Sequence, residues 1–89
     1  EFDIGEAEVR QITTNEFRVD SRISTDELSN QLGVDFTGIG YDTIGGFVLN
    51  QLGKIPSTGD SFTYNDTKIE VLSTIGRRLK HIKVHIQKI

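Results

Sequence analysis

Two histidines four residues apart, His81 and His85, are the first side chains whose types could do chemistry together. On a helix that spacing would aim both imidazoles at one metal ion. On a strand it separates them by about 13 Å, too far to share one. Their neighbours decide the matter: Ile82, Val84 and Ile86 alternate with His81, Lys83, His85 and Gln87, the period-two pattern of a half-buried strand. The histidines therefore read as water-facing, and no metal site is expected. Carboxylates are numerous but have local uses, Asp26 and Glu27 at a helix start, Asp42 as a helix cap, Asp60 and Asp66 in turns. No serine stands in a nucleophile turn, and the absence of cysteine excludes thiolate ligands, cysteine nucleophiles and disulfides. The chain is not expected to be an enzyme, and no catalytic residue is assigned.

Two further groups could bind rather than react. Gly45 and Gly46 lie at the start of an amphipathic stretch, where bare N–H groups can receive an anion such as a phosphate. Asp42, Thr43, Gly45 and Gly46 would then be ligand contacts. The competing explanation is close approach of the helix backbone to the sheet, and it is preferred because no lysine or arginine lies in the stretch before Lys54. Arg77, Arg78, Lys80 and Lys83 gather around the last hairpin. They form either a solvated cationic edge that discourages strand-to-strand association or a contact for an acidic partner domain or membrane surface. Nucleic acid is not an expected partner, because no aromatic residues interleave with these bases as stacking platforms.

The elements that must position these groups follow from periodicity. A helix is expected from Asp42 to Gly53, with Ile44, Phe47, Val48, Leu52 and, beyond its end, Ile55 on one stripe, and Pro56 after the stop. Before it, strands near Ala7–Thr13 and Glu16–Arg22 form a hairpin turning at Thr14-Asn15, with Phe17 and Val19 on one face. Ser24 and Glu27 make a capping box, Ile23 and Leu28 a hydrophobic staple, and Gly33 ends that short helix. Residues 34–40 read as a loop; Gly38-Ile39-Gly40 within it lacks the strand and third glycine of a dinucleotide fingerprint. After the turn at Pro56–Asp60, three strands carry Phe62 and Tyr64, then Ile69 and Val71, then Ile82, Val84 and Ile86, with turns at Asn65-Asp66 and Gly76. The fold class is α+β, a two-layer arrangement of a mostly antiparallel sheet of about five strands with two helices inserted after the first hairpin.

With 89 residues, 35% of them hydrophobic and 26% charged, the chain is one globular domain with a single core. Residues 1–6 read as a linker and 7–89 as the domain. The chain begins at Glu1 rather than methionine, as an excised fragment or processed product would. No apolar run approaches the roughly 20 residues that span a bilayer, so no membrane insertion by this fragment is expected. The net charge of −3 hides a polarity: ten acidic residues face three arginines in residues 1–53, while seven basic residues face three acidic ones in 54–89.

In order, the segments Phe17–Asp20, Ile23-Ser24, Leu28–Gly33, Tyr41–Leu49, Leu52–Pro56, Gly59-Asp60 and Gly76–Leu79 resemble the CorC/HlyC transporter-associated domain over about residues 8–86. Tyr41-Asp42-Thr43 with Gly45-Gly46, then Leu52-Gly53 with Ile55-Pro56 and Gly59-Asp60, is the most specific part. The resemblance implies a regulatory accessory domain at the C-terminus of magnesium/cobalt efflux or hemolysin-like membrane proteins, on the cytoplasmic face of the cell membrane. It follows a transmembrane region and a pair of CBS domains, which are its implied partners; a homodimer is left open. The family also occurs in some sodium/proton antiporters and brings no catalytic residues. No cofactor is implied, but the fold's kinship to a subdomain of flavin-binding oxidoreductases keeps an alternative open, a sensor module for FAD or an adenine nucleotide near Gly45-Gly46. The loop before Tyr41 is usually acidic in the family, whereas 36–40 carries no charge here.

Overall fold

Alternating side chains and tight turns produce five strands and two short helices: β1 (Val9–Thr13), β2 (Glu16–Asp20), α1 (Thr25–Leu32), α2 (Ile44–Leu52), β3 (Ser61–Tyr64), β4 (Thr67–Ile75) and β5 (Arg78–Ile86). The computed structural model describes residues 8–36 and 40–87. The expected linker 1–6, Ala7 and residues 37–39 of the uncharged loop lie outside the described residues. The sheet order is β1-β2-β5-β4-β3, with every pair antiparallel. The last strand therefore inserts at the centre, between the first hairpin and the β3–β4 hairpin. The α+β reading of the sequence holds, two helices inserted after the first hairpin included.

Each turn has a local cause. Asn65 and Asp66 both take positive φ, 50° and 61°, the type I′ geometry whose twist suits a two-residue hairpin loop. Both helices stop at a left-handed glycine: the Gly33 N–H donates to the Ser29 carbonyl and the Gly53 N–H to that of Leu49, meeting acceptors that a helix end otherwise leaves open. At the start of α1 the Ser24 hydroxyl accepts the Glu27 N–H at 3.0 Å, while the Glu27 carboxylate turns to Gln31.

The core lies between the helices and one face of the sheet. Val19, Leu28, Ile44, Phe47, Val48, Ile69, Val71, Ile82 and Val84 are all buried, each contributing about 1.5–3 kcal/mol by leaving water. Two positions differ from the sequence reading. Phe36, assigned to a loop, is wholly buried: its N–H donates to the Ser29 hydroxyl at 2.8 Å and its ring stacks on Tyr64. Ile55, placed on the apolar stripe, is 55% exposed, because the left-handed Gly53 turns the chain off the helical path before it. Phe47 anchors α2 to β3, with ring centroids 5.8 Å from Phe62 and 5.0 Å from Tyr64.

The glycine pair of α2 divides into two different cases. A Cβ on Gly45 would stand 2.7 Å from the Ser21 carbonyl oxygen, an impossible contact with backbone, whereas a Cβ on Gly46 would meet Thr43 and Tyr41 at an ordinary 3.5 Å. The close-approach explanation thus applies to Gly45, against the chain leaving β2. Gly46→Ala is expected to stabilise the domain by about 0.5–1 kcal/mol through helix propensity, raising its melting temperature by several degrees. Gly45→Ala is expected to cost about 1–3 kcal/mol through overpacking. Thermal melts of the two variants check both signs, and equal effects would show that the Ser21 contact carries no weight.

Candidate functional site

Ser21, one residue past β2, ties three elements together. Its N–H donates to the Lys80 carbonyl at 3.0 Å, its carbonyl accepts the Gly45 N–H at 2.9 Å, and its hydroxyl donates to the Leu79 carbonyl at 2.9 Å. The two helix starts are joined beside it. Ser24 and Thr43 form an antiparallel bridge, in which the Ile44 N–H donates to the Ile23 carbonyl and the Thr25 N–H to that of Asp42, both at 3.0 Å.

This arrangement consumes the donors that an anion at α2 would need. The N–H of Ile44 goes to Ile23, that of Gly45 to Ser21 and that of Phe47 to the Thr43 carbonyl, while that of Gly46 meets the Thr43 hydroxyl at 3.2 Å. Thr43, not Asp42, is the cap; Asp42 serves through its main-chain carbonyl, because the bridge to α1 sets Thr43 in the extended conformation a cap requires. Asp42, Thr43, Gly45 and Gly46 are therefore together in space, as a structural joint.

The four cations of the last hairpin do not stay together. Lys83 lies on the outer face of the sheet between Glu16 at 3.8 Å and Glu70 at 3.6 Å, because both neighbouring strands place a carboxylate beside it. Arg78 and Lys80 line a shallow concavity of about 380 Å³ with Asp20, Ser21, Arg22 and Ile75, and Arg77 sits in the turn beside it. Pairing is irregular around Ser73 and Lys80, the kind of bulge that re-aims side chains, and Leu79 packs against the core. Sequence reasoning missed Ser21, Arg22 and Ile75. A signal existed for Arg22: the Asp20 carboxylate accepts its main-chain N–H at 2.9 Å, the Asx turn that an aspartate at a strand exit favours.

The histidines occupy separate settings on the outer face, as the strand spacing requires. His85 faces Glu16 at 3.8 Å and the Asn15 amide at 3.4 Å. At His81, the Arg18 guanidinium donates to Nε2 at 3.4 Å, which leaves Nδ1 to donate to the Ser73 hydroxyl at 3.2 Å. Burial, then the nearby charges of Arg18 and Lys80, holds the His81 pKa below the ordinary 6.5, against the opposing pull of Asp20. The Arg22 guanidinium, bonded to Asp20 at 2.8 and 3.0 Å, keeps that carboxyl below the usual 3.8. Among the described residues no group of three or more His, Cys, Asp or Glu is placed to hold a metal ion, and no helix is long and apolar enough to cross a membrane.

Comparison with known proteins gives a consistent result. The family model CorC_HlyC, described as a transporter associated domain, matches residues 10–88. A magnesium and cobalt efflux protein, CorC, of Pasteurella multocida is 28% identical over 97% of this chain, which spans 29% of that protein. A hemolysin domain from Enterococcus faecalis superposes with a TM-score of 0.82 at 29% identity, covering 90% of this chain and 98% of that one. The transporter associated domain from Nitrosomonas europaea gives 0.80 at 27% identity, covering 92% and 99%.

The histidine geometry yields a pH prediction. A folded-state pKa below the unfolded value means that the unfolded chain binds the proton first, so the stability held above the unfolded pKa is lost as pH falls. For His81 the loss begins near 6.5; for Asp20 it begins only near 3.8. The melting temperature is expected to fall between about pH 7 and pH 5, and His81→Gln is expected to flatten that fall. An unchanged slope in the variant would remove His81 as its source.

Proposed function

This chain belongs to the CorC/HlyC transporter-associated domain family, and from that membership we propose that it is a non-catalytic accessory domain of a larger ion-efflux protein of the magnesium and cobalt type, modulating transport through contacts with neighbouring domains. The observation that carries this reading is one of extent. Likeness to the Pasteurella multocida efflux protein runs through nearly all of this chain but under a third of that relative, so the relative carries this folding unit within a longer chain. Its partners in this reading are CBS domains and a transmembrane region of the same protein, with the domain on the cytoplasmic face of the membrane. The interior supports the role: the helix-start donors that a phosphate-bearing ligand would use are engaged within the domain.

In a full-length efflux protein carrying this domain, removing residues 8–87 is expected to change Mg²⁺ efflux from loaded cells severalfold at equal membrane abundance. Unchanged efflux would overturn the accessory role. For the isolated domain, FAD, AMP, ATP, Mg²⁺ and Ca²⁺ are each expected to leave the melting temperature unmoved. A ligand at 100 times its dissociation constant adds about 2.7 kcal/mol, roughly 10 °C or more for so small a domain. A shift of that size with FAD or an adenine nucleotide would replace this reading with a ligand-sensing one.

A further inference from the structure

The tip of the β4–β5 hairpin combines features that the packing of the domain does not use. Ile75 is 59% exposed and pairs across the hairpin with Arg78, so the two side chains emerge on the same side. Both line the concavity that Lys80 and Arg22 also share, and Arg77 stands in the two-residue turn beside them. The carboxylate of that concavity, Asp20, is already spanned by Arg22. Among the described residues, Arg77, Arg78 and Lys80 enter no ion pair, in contrast to Lys83 between its two glutamates. An apolar side chain thus sits among three cations without ion pairs at an exposed turn.

We propose that this tip docks on an anionic lipid headgroup surface, with Ile75 entering between the headgroups and Arg77, Arg78 and Lys80 resting on their phosphates and carboxylates. Charge complementarity favours that occupant. The whole chain carries −3, and among the described acidic residues only Asp20 lines the concavity, where Arg22 spans it, so an anionic surface repels the rest of the domain and turns the tip toward itself. A lipid interface also offers an apolar layer directly beneath the negative charge, which suits one isoleucine ringed by cations. An acidic protein would have to supply a separate pocket for Ile75. Three cations and one isoleucine bind a membrane weakly by themselves; tethering within a membrane protein, the accessory reading on which this inference rests, raises the effective concentration of the surface enough for a weak contact to be occupied.

The chain has no tryptophan, so Ile75→Trp places one reporter at the tip. Isolated domains of this family and size are themselves the subject of solved structures, which makes vesicle titration of the 89-residue chain a direct test. With phosphatidylcholine vesicles containing phosphatidylserine, the expected result is a blue-shifted emission and co-sedimentation that salt abolishes. Each of Arg77→Ala, Arg78→Ala and Lys80→Ala is expected to weaken partitioning about fivefold, and Lys83→Ala to leave it unchanged. Co-sedimentation of the unsubstituted chain repeats the test without the reporter. Equal binding to pure phosphatidylcholine, or none to either vesicle at about millimolar accessible lipid, the effective concentration that a short tether supplies, overturns the proposal. A blue shift with a polyglutamate peptide and none with vesicles assigns the tip to an acidic protein instead, which also overturns it. Loss of efflux on domain removal with no vesicle binding would leave the accessory role standing and remove the lipid contact alone.

Discussion

The arrangement hangs on the contact between Ser21 and Gly45. One residue past the end of β2, Ser21 is 8% exposed and gives all three of its polar groups to partners on β5 and α2. Each such bond contributes about 0.5–1.5 kcal/mol net, and a buried group left without its partner would cost more. The contact allows no Cβ on Gly45, so the helix backbone lies directly against the chain leaving the sheet. This single approach sets where α2 begins and brings Thr43 beside Ser24. It also fixes how the central strand meets the first hairpin.

Functional character follows from what this joint uses up. Helix N-termini are natural anion sites because their first N–H groups lack helical partners. Here the bridge between the two helix starts and the Ser21 carbonyl supply those partners. The polar groups that sequence spacing brings to Gly45 and Gly46 thereby become scaffolding. Arg77, Arg78, Lys80 and Ile75, by contrast, are exposed, and their side chains take no part in this joint.

Charge on the outer sheet face obeys a different rule. Cross-strand register sets Glu70 opposite Lys83 and brings Glu16 within 3.8 Å of the same ammonium, so this cation lies between two carboxylates, while Asp20 and His81 pair as an acid and a polar ring. Exposed pairs of this kind are individually worth about 0.2–1 kcal/mol, yet they leave Lys83 partnered within the domain. The contrast with the hairpin tip is a matter of register. Beyond the irregular pairing at Ser73 and Lys80, β2 has ended, and β4 places Ile75 rather than a carboxylate opposite Arg78.

The amino-acid sequence by itself determined the elements and their faces. Alternation in Phe17–Asp20 and His81–Gln87, the cap at Ser24 and the stops at Gly33 and Gly53 depend on neighbours only a few residues away, so the strands, helices and most of the core were legible before any fold was known. The resemblance carried by Tyr41–Pro56 was legible for the same reason. Tertiary structure alone decided the rest, because it depends on residues distant in the chain. Phe36 reads as a loop residue until Tyr64 and Ser29 close around it. Asp42 reads as a cap until the bridge to Ser24 makes Thr43 the cap. Gly45 and Gly46 look alike until Ser21 approaches one of them, and Lys83 belongs with Arg77, Arg78 and Lys80 until Glu16 and Glu70 flank it. Local periodicity encodes which side of an element is buried; which partner lies across from it is set only when β5 inserts between β2 and β4.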